Sequence, residues 1–235
     1  MHGREIVLVG GTGGIGSAAL ELLRAEGARL VASYRSNAAR SGQWSHAATI
    51  LQADITLAPD RTRLLDAAPN LYGLVVFAGD PARAAQTTPI EEAMRRSHEV
   101  NYLGPILMAR EAAEHMRAAG QPGSIVLVST MQAMALFPGS TAYAAPKAAL
   151  LHAARILAKE LRASNIRVNV ISPGVTAAGM AQESIASGKY DRFLNEGIVS
   201  RLGRAVDVAR AVRFFLEPDN YVTGQALCVD GGLTL

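Results

Sequence analysis

Tyr143 and Lys147 stand four residues apart in Tyr-Ala-Ala-Pro-Lys. On a helix that spacing puts both side chains on one face. A free tyrosine has a pKa of about 10 and is a poor acid or base at neutral pH. A nearby ammonium favours the phenolate and so tunes the phenol for proton transfer. Pro146 fits only the first turn of a helix, so Tyr143 should sit near a helix start, within reach of a substrate. A second group suits phosphate: Gly10-Gly11-Thr12-Gly13-Gly14-Ile15-Gly16. Glycines there permit a tight turn and close approach to backbone, and a following helix offers free N–H groups and a favourable dipole. The glycines fit two spacings, Gly10/Gly14/Gly16 and Gly11/Gly13/Gly16, and the loop alone does not choose between them. No Gly-Lys-Ser/Thr follows, which disfavours a P-loop. Further on, Ser33-Tyr34-Arg35-Ser36 contains no acid. An acid in that place would bind the ribose hydroxyls of NAD, whereas an arginine fork suits the extra phosphate of NADP. The other reading of Arg35 is a solvated loop arginine.

These groups need a frame that brings loops together. Short apolar runs at 5–9, 29–32, 49–51, 74–77, 125–128, 167–171 and 226–229 read as strands. Several are apolar at consecutive positions, as strands covered on both faces should be. Helical patterns lie between them at 15–25, 90–100, 105–119, 144–162 and 207–216. This alternation predicts an α/β fold with a mostly parallel, doubly wound sheet and helices on both faces. Ligands in such folds bind beyond the carboxyl ends of the strands, which is where the candidate residues fall. No repeat or linker divides residues 1–235, so one domain is expected.

Composition narrows the function. Of 235 residues, 49% are hydrophobic and 18% charged, which excludes a disordered chain. No apolar run approaches the ~20 residues of a membrane span. The residues before the first strand do not form a signal peptide. One cysteine, Cys228, allows no internal disulfide, and the expectation is a protein of the reducing cytoplasm. The net charge of +3 and 5% aromatics give no case for nucleic acid. His2, His46, His98, His115 and His152 lack metal-type spacing, so no metal is expected. Lysine occurs only three times, against twenty arginines, which singles out Lys147, Lys159 and Lys189.

Across its whole length the ordered set of motifs resembles the short-chain dehydrogenase/reductase family, of the single-domain Rossmann kind. The set runs from the glycine loop through Asp54, Ala78-Gly79, Val100-Asn101 with Gly104, and Tyr143/Lys147 to Ser172-Pro173-Gly174. The stretch from Arg201-Leu202-Gly203-Arg204 through Asp207-Val208-Ala209 and Thr223-Gly224-Gln225 to Val229-Asp230-Gly231-Gly232 is similar to bacterial 3-oxoacyl-ACP reductases. The resemblance implies that Tyr143 gives a proton to a carbonyl as hydride arrives from a nicotinamide. Lys147 would hold the nicotinamide ribose and depress the tyrosine pKa, and Asn101 would help hold a relay water. Gly10, Thr12, Gly14, Ile15 and Gly16 would cradle the cofactor, Arg35 and Ser36 would meet its phosphate, and Asp54 and Ile55 would meet its adenine. Ala78 and Gly79 would line the adenosine ribose, and Pro173 and Gly174 the nicotinamide.

The family's catalytic serine position holds Thr130, whose hydroxyl can still bond a substrate oxygen. Ser129, one residue off, should point to the other face. Phe77, Val9, Ala178 and Gly13 also depart from the family pattern. Met131, Met134, Phe137 and Met180 flank the site as core or as pocket lining, and 175–200 resembles the family's substrate-covering segment. The leading expectation is an NADP-dependent reductase acting on a small or carrier-bound carbonyl, with a 3-oxoacyl thioester of fatty acid or polyketide synthesis as the best candidate. NAD is the weaker cofactor candidate. An acyl carrier protein is an open partner, since Gln121 and Ser164 stand where related reductases place arginines, with Arg117 and Arg162 nearby. The resemblance also implies a homotetramer. The competing reading is a non-catalytic or weakly active dinucleotide-binding sensor or scaffold. An extended-type sugar epimerase or dehydratase fits less well, because the chain ends soon after its last strand.

Overall fold

A computed structural model describes residues 1–83 and 89–235. Seven strands form one parallel sheet in the order β3-β2-β1-β4-β5-β6-β7. They are β1 Glu5–Val9, β2 Arg29–Tyr34, β3 Thr49–Gln52, β4 Leu71–Val76, β5 Gly123–Val128, β6 Ile166–Pro173 and β7 Ala226–Val229. The helices are α1 Gly14–Ala25, α2 Ala38–Gly42, α3 Ala58–Asp66, α4 Ile90–His98, α5 Gly104–Ala118, α6 Thr141–Leu161, α7 Gln182–Ala186, α8 Asp191–Asn195 and α9 Ala205–Leu216. The strand alternation sends Val7 and Val9 of β1 to one face, among Met108, Ala112 and Leu157 of α5 and α6. It sends Ile6 and Leu8 to the other, among Leu20, Leu23, Val212 and Phe215 of α1 and α9. Each such fully buried side chain contributes roughly 1.5–3 kcal/mol, so both faces hold the strand ends firmly in place. The strand order reverses between β1 and β4. The crevice at that reversal therefore opens between the loops that follow these two strands.

Three departures from the sequence expectation have physical causes. β4 begins at Leu71, well before the apolar run. Gly73 precedes that run, and a Cβ there would lie 3.0 Å from the Leu216 side chain and 3.2 Å from that of Ile6, so the strand is closely packed at this point. The helix expected over 90–100 ends at His98 and passes through a wide π-type turn, Glu99–Leu103, into α5. α6 starts at Thr141 rather than 144, which leaves Pro146 in its second turn. Proline has no N–H for the carbonyl four residues earlier, that of Ala142. Ser97 takes its place, its Oγ donating to Ala142 O at 2.6 Å.

Candidate active site

The loop after β1 meets the loop after β4. Gly10 has φ +73, and a Cβ on it would stand 3.2 Å from Ala78 N. The Gly10 amide donates to Ser33 Oγ of β2 at 3.0 Å, which ties the turn to the neighbouring strand. A Cβ on Gly16 would fall 2.5 Å from Gly10 O, and one on Gly14 would fall 2.3 Å from Gly179 N. α1 has no side-chain cap at its N-terminus, so its first N–H groups face the crevice without a protein partner there. A cavity of about 1030 Å³ runs from this loop past Gly79 to Thr130 and Tyr143 and on to Met180 and Tyr190.

Lys147 lies at the floor, 2% exposed, its ammonium donating to Val128 O at 2.8 Å. Burial pulls its pKa down from the ordinary lysine value to about 7. Tyr143 is half-buried one turn earlier. Burial pushes its phenol up to about 12, partly offset by a hydrogen bond with Thr130, while nearby Tyr190 pushes it further up. The expected depression of the tyrosine pKa by Lys147 is thus replaced by the opposite shift: the lysine's bond is to Val128, and desolvation dominates. Ser129 lines the cavity but its Oγ is engaged, donating to Lys147 O at 3.0 Å, while Thr130 faces Tyr143.

Asn101 is fully buried in the wide turn after α4. Its Nδ2 donates to Asp80 O and to Ser97 Oγ, both at 2.8 Å, and its Oδ1 accepts from Asp80 N at 3.0 Å. Both amide hydrogens are therefore used, so the side chain braces the loop after β4 instead of holding a relay water by donation. The brace runs from Asp80 through Asn101 and Ser97 to the carbonyl beside Tyr143. Asp80 is itself held by Arg96 Nε at 2.8 Å. Sequence reasoning missed Asp80, Ser97 and Arg96. The i,i+4 spacing of Ser97 and Asn101 was the available signal.

Of the proposed cofactor contacts, Gly10, Gly14, Ile15, Gly16, Ala78, Gly79, Tyr143, Lys147, Pro173 and Gly174 line the cavity. Thr12 does not, because its buried hydroxyl pairs with Ser41 Oγ at 3.0 Å. Ile55 belongs to the core. Asp54 uses Oδ1 to hold Thr56 N at 2.9 Å and Thr56 Oγ1 at 2.7 Å, a strand-end turn. Arg35 and Ser36 are exposed beyond β2, outside the lining. Met131 and Met180 line the cavity, whereas Met134 and Phe137 do not.

The residues present fit a dinucleotide. The space where a Gly79 Cβ would stand is 3.7 Å from Lys147 Nζ, and glycines at 10, 13, 14 and 16 leave the loop end of the cavity wall largely backbone. Comparison with known proteins agrees. A family model described as enoyl-(acyl carrier protein) reductase matches residues 10–234. An uncharacterised oxidoreductase of Methylorubrum extorquens is 33% identical, covering 99% of this chain and 98% of that one. Carbonyl reductase family member 4 of Danio rerio is 34% identical, with 99% and 98% covered. A short-chain type dehydrogenase/reductase structure from Mycobacterium ulcerans superposes with a TM-score of 0.90 at 28% identity, covering 100% of this chain and 90% of that one. With the parallel sheet, the glycine crevice and the Tyr143–Lys147 floor already in place, this chain belongs to the short-chain dehydrogenase/reductase family of oxidoreductases.

Proposed function

We propose that the protein reduces a carbonyl to a secondary alcohol with NADPH, and that a 3-oxoacyl thioester is the best substrate class. The reading rests chiefly on one observation: the Tyr143 hydroxyl stands beside the Thr130 hydroxyl in the cavity, one helical turn from a buried lysine. The bound nicotinamide would supply the hydride. Its raised pKa would keep Tyr143 a neutral phenol in the resting site, and proton transfer to the carbonyl oxygen would be drawn by the alkoxide that forms as hydride arrives. Thr130 would donate to the same oxygen and fix its direction. Lys147 would hold ribose hydroxyls in the gap beside Gly79, and the charge it regains there would stabilise the phenolate left behind. Preference for NADPH is supported by Arg35 at the end of β2, where no acid stands. An acyl thioester, though not its 3-oxo group, is supported by the enoyl-(acyl carrier protein) reductase description of the matching family model. An acyl carrier protein as its bearer is part of the same proposal.

The test is NADPH oxidation with a panel of short 3-oxoacyl thioesters and simple ketones. Turnover is expected, and Tyr143→Phe should lower kcat by roughly 10²–10⁴. Undiminished turnover in that variant would refute the mechanism. Tight NADPH binding with no turnover anywhere on the panel would favour a dinucleotide sensor, the reading suggested by Phe77 and Ala178 in the cavity wall.

A further inference from the structure

Lys189 is one of the three lysines, and the reaction just described gives it no part. Among the described residues that line the cavity, the charged ones are Lys147, Arg83 and Lys189, and none is an aspartate or glutamate. Lys147 is at the floor. Arg83 is occupied: its guanidinium pairs with Glu183 and donates to Met180 O. Lys189 forms no ion pair among the described residues. Its ammonium is 5.8 Å from the ring centre of Tyr190, and both residues line the cavity that Tyr143 lines. Lys189 therefore stands at the substrate end, away from the glycine loop. The wall there also includes Ile90, Met94 and Met180, all substantially exposed.

We infer that Lys189 reads a negatively charged group on the substrate, separated by an apolar body from the carbonyl held at Tyr143. The inference rests on the carbonyl-reductase reading and narrows it. An exposed cation without an ion pair, on a wall that it shares with Met180 and Tyr190, attracts an anion and discriminates against neutral analogues. The anion has two possible sources. One is the carboxylate of a free oxo acid. The other is the phosphate of a pantetheine-type thioester.

The experiment measures kcat/KM with NADPH for two matched pairs. The first is a medium-chain oxo acid and its methyl ester. The second is a 3-oxoacyl-CoA and the same acyl group on N-acetylcysteamine, which has no phosphate. Wild type should prefer the anionic member of one pair by about tenfold, the scale of one charged contact. The pair that shows the preference names the source. Lys189→Gln should abolish it and Lys189→Glu should invert it. High salt should narrow it. Arg192→Gln, a charge change in the same segment outside the cavity, should leave it intact. Equal rates within both pairs for wild type, or an unchanged preference in Lys189→Gln, would overturn the assignment while leaving the reductase reading standing. If none of the four compounds is reduced, the reductase reading fails and this inference fails with it.

Discussion

At the glycine-loop end of the cleft, backbone sets the geometry. Gly10 and Gly16 are required by contacts with main-chain atoms, and β1 and β4 below them are buried on both faces. At the other end, side chains set it. Residues between β6 and α9 form one 3-10 turn and two five-residue α-helices, and Met180, Lys189, Leu194 and Ile198 are exposed. The contrast separates two functions within one cavity. The first end offers mainly backbone N–H groups and the space left by missing side chains, which suits a phosphate-bearing dinucleotide. The second can change its ligand by changing a few side chains while the fold beneath is unaltered. No helix among the described residues is long and apolar enough to cross a membrane, so the exposed apolar groups here belong to no membrane-spanning helix.

The sharpest way to break the comparison is where the two ends touch. A Cβ on Gly14 would fall 2.3 Å from Gly179 N, backbone against backbone. Gly14→Val should therefore displace both the phosphate-binding turn and the covering segment. NADPH affinity, read by fluorescence titration, should fall by about a hundredfold, as ångström-scale misplacement does in a positioned site. Retained affinity would mean that this end tolerates side-chain variation as the other does.

Much of this contrast could be read from residue types. Strands buried on both faces write themselves as apolar runs, and a glycine loop after the first run fixes the crevice. The Tyr143–Lys147 spacing put both side chains on one helix face, and both line the cavity. What the sequence hid was cross-chain compensation. Pro146 argued against a helix start as early as Thr141, and the Ser97 hydroxyl, 45 residues before the Ala142 carbonyl it serves, removes the objection. Gly73 concealed the start of β4 for the same kind of reason, a contact with Leu216 of α9. The Asp80–Asn101 brace combines a loop and a helix turn that no local pattern links. The extent of the covering segment's helices was also illegible, because short, half-exposed helices carry little periodicity.

Lys147 lies between the two ends and offers a thermodynamic test. Its pKa is about 7 in the folded protein, against 10.5 for a free lysine. Below pH 7 both folded and unfolded chains hold the proton, and the full cost of burying the ammonium weighs on the fold. Between pH 7 and 10.5 the unfolded chain keeps a proton that the folded chain has shed, so this group's contribution to stability rises with pH. Lys147→Met keeps the length of the side chain and removes the charge. Without cofactor, its melting temperature should exceed the wild type's by several degrees at pH 6, and the gap should close toward pH 10.5. For a chain of this length, each 1 kcal/mol shifts the midpoint by roughly 2–4 °C. A variant less stable than the wild type at pH 6 would show that the Val128 carbonyl compensates the buried charge fully.

The smallest effect tests the one point at which the glycine-loop end is expected to rely on a side chain. Arg35 is exposed at the end of β2, with its backbone carbonyl held by Gln52 Nε2 at 3.0 Å. That bond fixes the turn without engaging the guanidinium. An exposed arginine contacting a phosphate is screened by solvent, which limits its worth. Arg35→Gln should raise the KM for NADPH about fivefold while leaving that for NADH unchanged, since the two cofactors differ only in the phosphate Arg35 would meet. An equal rise for both would move Arg35 from recognising the phosphate to shaping the turn. The backbone would then carry all of the dinucleotide recognition at this end of the cleft.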